Sequence, residues 1–175
     1  MAPSFIHLHN HSEYSVLDGA VRLEKLVDAA VRHNMPAVAL TDHGNVFGAV
    51  SFFKEAKARG VKPILGCETY VAPRSRFDRE ARTQEAAHHH LLLLVKDETG
   101  YRNLCTLLTK AYLEGFYYRP RVDKELLAAH SKGLIGLSGC LKGEVAYLLE
   151  RDDEEAAEAA AGAYAEIFGP GNYYL

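Results

Sequence analysis

Tryptophan is absent from the chain, cysteine occurs only three times and proline six times in 175 residues. Cys67, Cys105 and Cys140 are odd in number, far apart and without a CxxC spacing, so a secreted disulfide framework is not encoded. At this length a globular chain buries roughly 68–70% of its unfolded surface and needs no such staple. No apolar run approaches the roughly 18 residues of a membrane span. Twenty basic against 23 acidic side chains leave a net charge of −3, so nucleic acid is not gripped through bulk positive charge, and only a local basic patch can serve that purpose. The first 20 residues hold three histidines and two acids, which excludes a secretory signal and makes a cytoplasmic location the expectation.

What the chain does have is histidine, nine in all, clustered at positions 7, 9 and 11 and again at 88, 89 and 90, with His43 between. Alternation in Phe5–His9 reads as a short strand. Leu23, Leu26, Val27, Ala30 and Val31 form one helical face ending near Asn34 and Pro36. Ala37–Leu40 reads as a buried strand. Val46, Ala49, Val50, Phe53 and Ala56 predict a helix closed by Gly60. Pro63–Val71 follows as a third strand, 73–87 as a polar loop, and Leu91–Val95, opened by His90, as a fourth strand. A helix through Leu104, Leu107, Leu108, Ala111 and Tyr112 stops at Gly115. A short helix near 124–129 and a fifth strand at Leu134–Ser138 come next. Four acids at 152–155 start a helix, where its dipole favours them, and Gly169-Pro170-Gly171 ends it. Asn172–Leu175 reads as the opening of a sixth strand that is cut off. Strands alternating with helices predict an α/β protein with a parallel sheet or barrel, and the abrupt stop predicts a fragment.

Potential metal ligands cluster near strand ends: His9 and His11 after the first strand, His43 after the second, Cys140 after the fifth. Parallel barrels carry their sites at the C-terminal strand ends. Glu68 inside the third strand and His90 at the start of the fourth do not fit that rule. His9 and His11 are two residues apart, so in extended chain both rings project to one face about 7 Å apart and can lean onto one ion. An H-x-H with further His, Glu, Asp and Cys at strand ends favours metal over a structural role.

The motifs His7-Leu8-His9-Asn10-His11-Ser12, Leu17-Asp18-Gly19, Thr41-Asp42-His43-Gly44-Asn45 and Gly66-Cys67-Glu68 resemble the polymerase and histidinol phosphatase (PHP) superfamily. The longer stretches TDHGNVFGAVSFFKEAKARGVKPILGCE, HLLLLVKDETGYRNL and EGFYYRPRVDKE resemble the N-terminal PHP domain of bacterial DNA polymerase III α subunits over nearly the whole chain. The resemblance implies a distorted (β/α)7 TIM-like barrel, here spanning 1–175 and cut off after five to six strands. It implies up to three divalent ions, zinc foremost with manganese or magnesium as alternatives. The implied ligands are His9, His11, Asp18, His43, Glu68, His90 and Cys140, with Glu68 bridging two ions and His7 orienting its neighbours. The superfamily's last Asp-x-His motif does not occur in these 175 residues.

The activity implied is a metal-dependent phosphoesterase, a proofreading-type 3′–5′ exonuclease using metal-activated water and no protein nucleophile. It would sit within a DNA-directed DNA polymerase, with the primer 3′ end, the remainder of the polymerase chain and other replisome subunits as partners. An alternative is a structural module that stabilises the polymerase and docks a separate exonuclease subunit, and a histidinol-phosphate phosphatase is a further one. Among the remaining residues, His88 and His89 read as solvated loop positions, Asp42 as a turn or helix-cap residue, and Cys67 and Cys105 as small core residues. Arg74 and Arg76 on the polar loop, and Arg119 and Arg121 beside Tyr117 and Tyr118, suit either phosphate contact or ordinary surface and corner packing.

Overall fold

A computed structural model describes residues 5–175. The chain divides into two compact units, Met1–Cys67 and Glu68–Leu175. Strand β2 (Lys62–Val71) runs from one into the other.

In the first unit, α1 (Leu23–Arg32) buries Leu23, Leu26, Val27 and Ala30. β1 (Ala37–Leu40) is buried throughout and pairs in parallel with the first half of β2, Ala37 opposite Lys62 and Leu40 opposite Leu65. α2 (Ala49–Ala58) packs with α1 around Val38, Leu40, Phe52, Ala56 and Val61. Its inward face differs from the expected one. Phe52 is fully buried, whereas Val50 and Phe53 are exposed. Ala49 and Ala56 belong to both candidate stripes, so the aromatic at 52 rather than the one at 53 sets the face. The expected strand over Phe5–His9 is not a regular one. Ala39 and Thr41 N–H donate to the carbonyls of His7 and Asn10, three residues set against two, so the ladder register breaks. Asn10 covers the mismatch: its side chain donates to the carbonyls of Ala39 (3.1 Å) and His7 (3.2 Å), and its N–H to Thr41 Oγ1 (2.9 Å).

In the second unit, β3 (His89–Val95) and α3 (Glu98–Leu113) contribute the leucine-rich interior, with Leu91–Leu94, Leu104 and Leu107 buried. β4 (Arg121–Val122) pairs in parallel with the end of β2. Asp97 caps α3 through Gly100 N–H, and Asp123 caps α4 (Lys124–His130) through Leu126 N–H. β5 (Leu134–Leu137) runs antiparallel to β3, with Leu92 opposite Leu137 and Val95 opposite Leu134. Two helices, α3 and α4, separate the two strands, so the chain re-enters at the end where β3 leaves. α5 (Glu144–Leu149), which the periodicity did not signal, precedes α6 (Glu154–Phe168), capped by Asp153 and closed by Gly169. β6 (Tyr173–Tyr174) pairs in parallel with β5.

The result is a mixed α/β fold whose six strands run in the order β1-β2-β3-β5-β6 with β4 on β2, a sheet that does not close. The expected parallel arrangement is corrected at β5, which runs antiparallel to β3, and the described residues do not form a closed TIM-like barrel. Among the described residues, no helix is long and apolar enough to cross a membrane.

Candidate metal centre

In the first unit, Asp42 organises the loop that carries the candidate donors. It follows buried β1 and accepts Ser12 N–H (2.6 Å), Ser12 Oγ (2.8 Å) and Ser15 Oγ (2.7 Å). Ser15 Oγ in turn accepts His43 N–H, and Cys67 Sγ bonds the Asp42 carbonyl. With its backbone fixed in this way, the segment presents His9, His11, Asp18 and His43 together. His9 and His11 Nε2 lie 3.0 Å apart. Asp18 Oδ2 is 2.8 Å from His43 Nε2 and 3.3 Å from His11 Nδ1, and the rings of His11 and His43 are 4.0 Å apart. Partial burial pushes the Asp18 carboxyl upward, but hydrogen bonds and charge from His43 and His11 outweigh it and hold its pKa below the usual carboxylate range. His7, also exposed, sets its ring edge-on to Phe5 rather than on His9 or His11.

The second unit assembles a second cluster. Glu68, 1% exposed, stands on β2, and its Oε1 is 2.8 Å from His90 Nδ1. Cys140 Sγ lies 3.7 Å from the same oxygen and 3.9 Å from His90 Nδ1. The antiparallel pairing explains a placement that parallel-barrel logic leaves unaccounted for. The start of β3, where His90 sits, lies beside the end of β5, after which Cys140 follows. Gly139, at φ +86°, makes the turn that leads into Cys140, and His90 N–H donates to the Lys142 carbonyl, tying this loop to β3. Burial pushes the Cys140 thiol up, and the Glu68 carboxylate adds to that. The charge of a coordinated cation would reverse the balance.

Both clusters fit a divalent ion. Nitrogen or oxygen donors each about 2.0–2.2 Å from one tetrahedral ion lie roughly 3.3–3.5 Å apart, and a sulfur at about 2.3 Å lies roughly 3.6 Å from them. The donor separations of 2.8–3.3 Å around Asp18 and of 2.8–3.9 Å around Glu68 are within about 0.7 Å of those edges. Side-chain shifts of that size close the difference. The ligand atoms of His11, Asp18 and His43 all fall within 4.8 Å of one another.

The remaining candidates take other places. Arg121 is fully buried and donates to the carbonyls of Gly115, Ala87, Arg76 and Asp78, and burial lowers its pKa. Arg76, also buried, pairs with Asp123 and Glu114. Both guanidinium groups therefore hold the 73–87 loop from inside. Arg74 is exposed and pairs with Asp78, and Arg119 lies 5.8 Å from the Tyr70 ring. His88 and His89 are buried, not solvated. His88 stacks on His90 (5.7 Å, 9°) and meets the edge of Tyr70, and His89 packs against Tyr147. Burial, with the neighbouring charges of His90 and Arg119, drives the His88 pKa down to about 3. Its role was readable in principle: His88-x-His90 repeats the alternation of His9-x-His11, so both rings share a strand face.

Residues 7–175 match the family model described as the PHP domain, and the chain belongs to that family. The DNA polymerase III subunit alpha of Treponema pallidum is 55% identical over 98% of the chain, which covers 15% of that relative. The DNA polymerase III subunit alpha of Thermus aquaticus is 50% identical over 94% of the chain and 14% of its own length. The chain thus spans about a seventh of these relatives. The solved structure of an amidohydrolase from Chromobacterium violaceum aligns with 95% of the chain and 56% of its own, at 21% identity and a TM-score of 0.44.

Proposed function

We propose that this chain is a metal-dependent phosphoesterase domain of a bacterial replicative DNA polymerase, acting as a proofreading-type 3′–5′ exonuclease on the primer end. The observation that carries this reading is the pair of donor clusters, His11–Asp18–His43, with His9 on the other ring nitrogen of His11, and Glu68–His90–Cys140. The family membership and the polymerase relatives supply the substrate class. A divalent ion, zinc in first place because imidazole and thiol donors suit it, supplies Lewis-acid polarisation of a phosphoryl oxygen and acidification of water.

The chain's own residues hold and orient. Asp18 carries the negative charge that sets the His11 and His43 rings against each other. Asp42 fixes the backbone that positions them, and Glu68 fixes His90 from the interior.

The test uses the full-length polymerase carrying this chain and a 3′-mismatched, 5′-labelled primer. His11→Ala combined with His43→Ala is expected to abolish 3′ shortening while leaving extension of a matched primer in place. Undiminished shortening by the double variant would refute the exonuclease reading and favour the docking module.

A further inference from the structure

Next to the second cluster lies a cavity of about 210 Å³ lined by His88, His89, Lys142, Tyr147, Glu150 and Arg151 among others. Its floor is His88, 8% exposed, whose Nδ1 is buried with no hydrogen-bond partner. A buried N–H without an acceptor costs more than a bare imidazole lone pair. The tautomer that avoids the orphan donor carries its proton on Nε2, which is then the donor available to the cavity.

The walls are cationic and have no ion pair of their own. Lys142 and Arg151 are exposed, and no carboxylate pairs with either among the described residues. The Arg151 guanidinium carbon lies over the Tyr147 ring, 3.5 Å from the centroid, and its Nη1 donates to the Tyr147 carbonyl. Stacking of this kind leaves the remaining N–H groups pointing outward in a fixed fork. Tyr147 is held in turn by His89. Glu150 contributes a carboxylate to the same lining. Lys142 sits two residues after Cys140 on the loop that His90 N–H anchors through the Lys142 carbonyl. The His88 ring is stacked 5.7 Å from that of His90, so the cavity is one imidazole away from a metal-ligand candidate.

An imidazole, an ammonium and a guanidinium lining one cleft of this size match a phosphate group, which takes several charge-assisted hydrogen bonds at once. We propose that the cleft over His88, between Lys142 and Arg151, is a phosphate subsite that holds a nucleotide phosphate next to the one engaged at the Glu68–His90–Cys140 cluster. The assignment rests on the phosphoesterase reading for the identity of its ligand, but not for its existence.

The experiment is calorimetric titration of the full chain, treated with chelator, with deoxyadenosine monophosphate and, separately, with inorganic phosphate. Wild type is expected to bind both saturably. Lys142→Glu, at an exposed position, and His88→Phe are each expected to weaken binding at least tenfold, while Lys57→Glu, in the other unit, leaves it unchanged. Equal affinity in wild type and Lys142→Glu, or equal weakening by Lys57→Glu, would overturn the subsite. Should Lys142→Glu lose binding in a protein with no nuclease activity, the subsite stands and the exonuclease reading falls. Nuclease activity with binding indifferent to Lys142 would mean the reverse.

Discussion

Removing the Asp123 carboxylate is the perturbation whose cost follows most fully from the structure. One side chain, 1% exposed, does three things. It accepts both Arg76 N–H (2.8 Å) and Arg76 Nη1 (3.0 Å to each oxygen), and it caps α4 through Leu126 N–H (2.9 Å). Loss of an N-cap costs about 1 kcal/mol. An unsatisfied buried N–H costs about 1–3 kcal/mol, and breaking a buried pair from one side about 3–5 kcal/mol. The terms overlap, and Glu114 still holds Arg76 Nε at 2.8 Å. Asp123→Ala should therefore lose about 3–5 kcal/mol in all, or roughly 6–20 °C in Tm at the 2–4 °C per kcal/mol usual for chains of this size. Asp123→Asn, which retains the cap and the shape but not the charge, should lose about 1–3 kcal/mol. Urea unfolding and thermal melts measure both, and tryptic cleavage at Arg74, Arg79 or Arg82 reports release of the loop. A loss below about 1 kcal/mol for Asp123→Ala, with the loop still resistant, would show that Arg76 finds solvent without strain and that the pair does not hold the loop.

Other expectations concern packing and the thiol. Phe52→Ala should cost about 3–5 kcal/mol and Phe53→Ala less than about 1, a difference in urea midpoint that vanishes if the α2 face is misassigned. A Cβ at Gly100 would lie 1.8 Å from the Gly133 carbonyl oxygen, whereas one at Gly162 meets nothing within 4 Å. Gly100→Ala should accordingly lose about 1–3 kcal/mol or more, and Gly162→Ala, mid-helix in α6, gain about 0.5–1 kcal/mol. Equal melting temperatures for the two variants would contradict this. In the cobalt-substituted protein, a thiolate-to-metal charge-transfer band in the near ultraviolet should be present in wild type and missing in Cys140→Ser. A band that survives the substitution would place the sulfur ligand elsewhere.

Much of this was legible in the residues. Continuous apolar runs marked β1 and β3, the acids at 152–155 stood where α6 begins, and H-x-H with TDHG marked the first donor cluster. What was not legible depends on three-dimensional pairing. Nothing in Leu134–Leu137 distinguishes a parallel from an antiparallel strand, yet that choice brings Cys140 to His90. In α2, Phe52 and Phe53 fit overlapping helical stripes, and only packing against α1 selects the first. His88 looked like loop because polarity precedes it, but its ring is covered by Tyr70 and His90. Arg121 fits either phosphate contact or a packed corner in the sequence, and only its burial on backbone carbonyls shows the packing.

The claim on which the rest depends is that each donor cluster holds a divalent ion. Metal content by plasma mass spectrometry, after equilibrium dialysis of the full chain against zinc or manganese, tests it most directly. Wild type should retain ions that His43→Ala and His90→Ala each reduce in part and the double variant abolishes, with circular dichroism showing all three variants folded. Wild type free of metal after dialysis, or a folded double variant with undiminished metal content, would contradict the account.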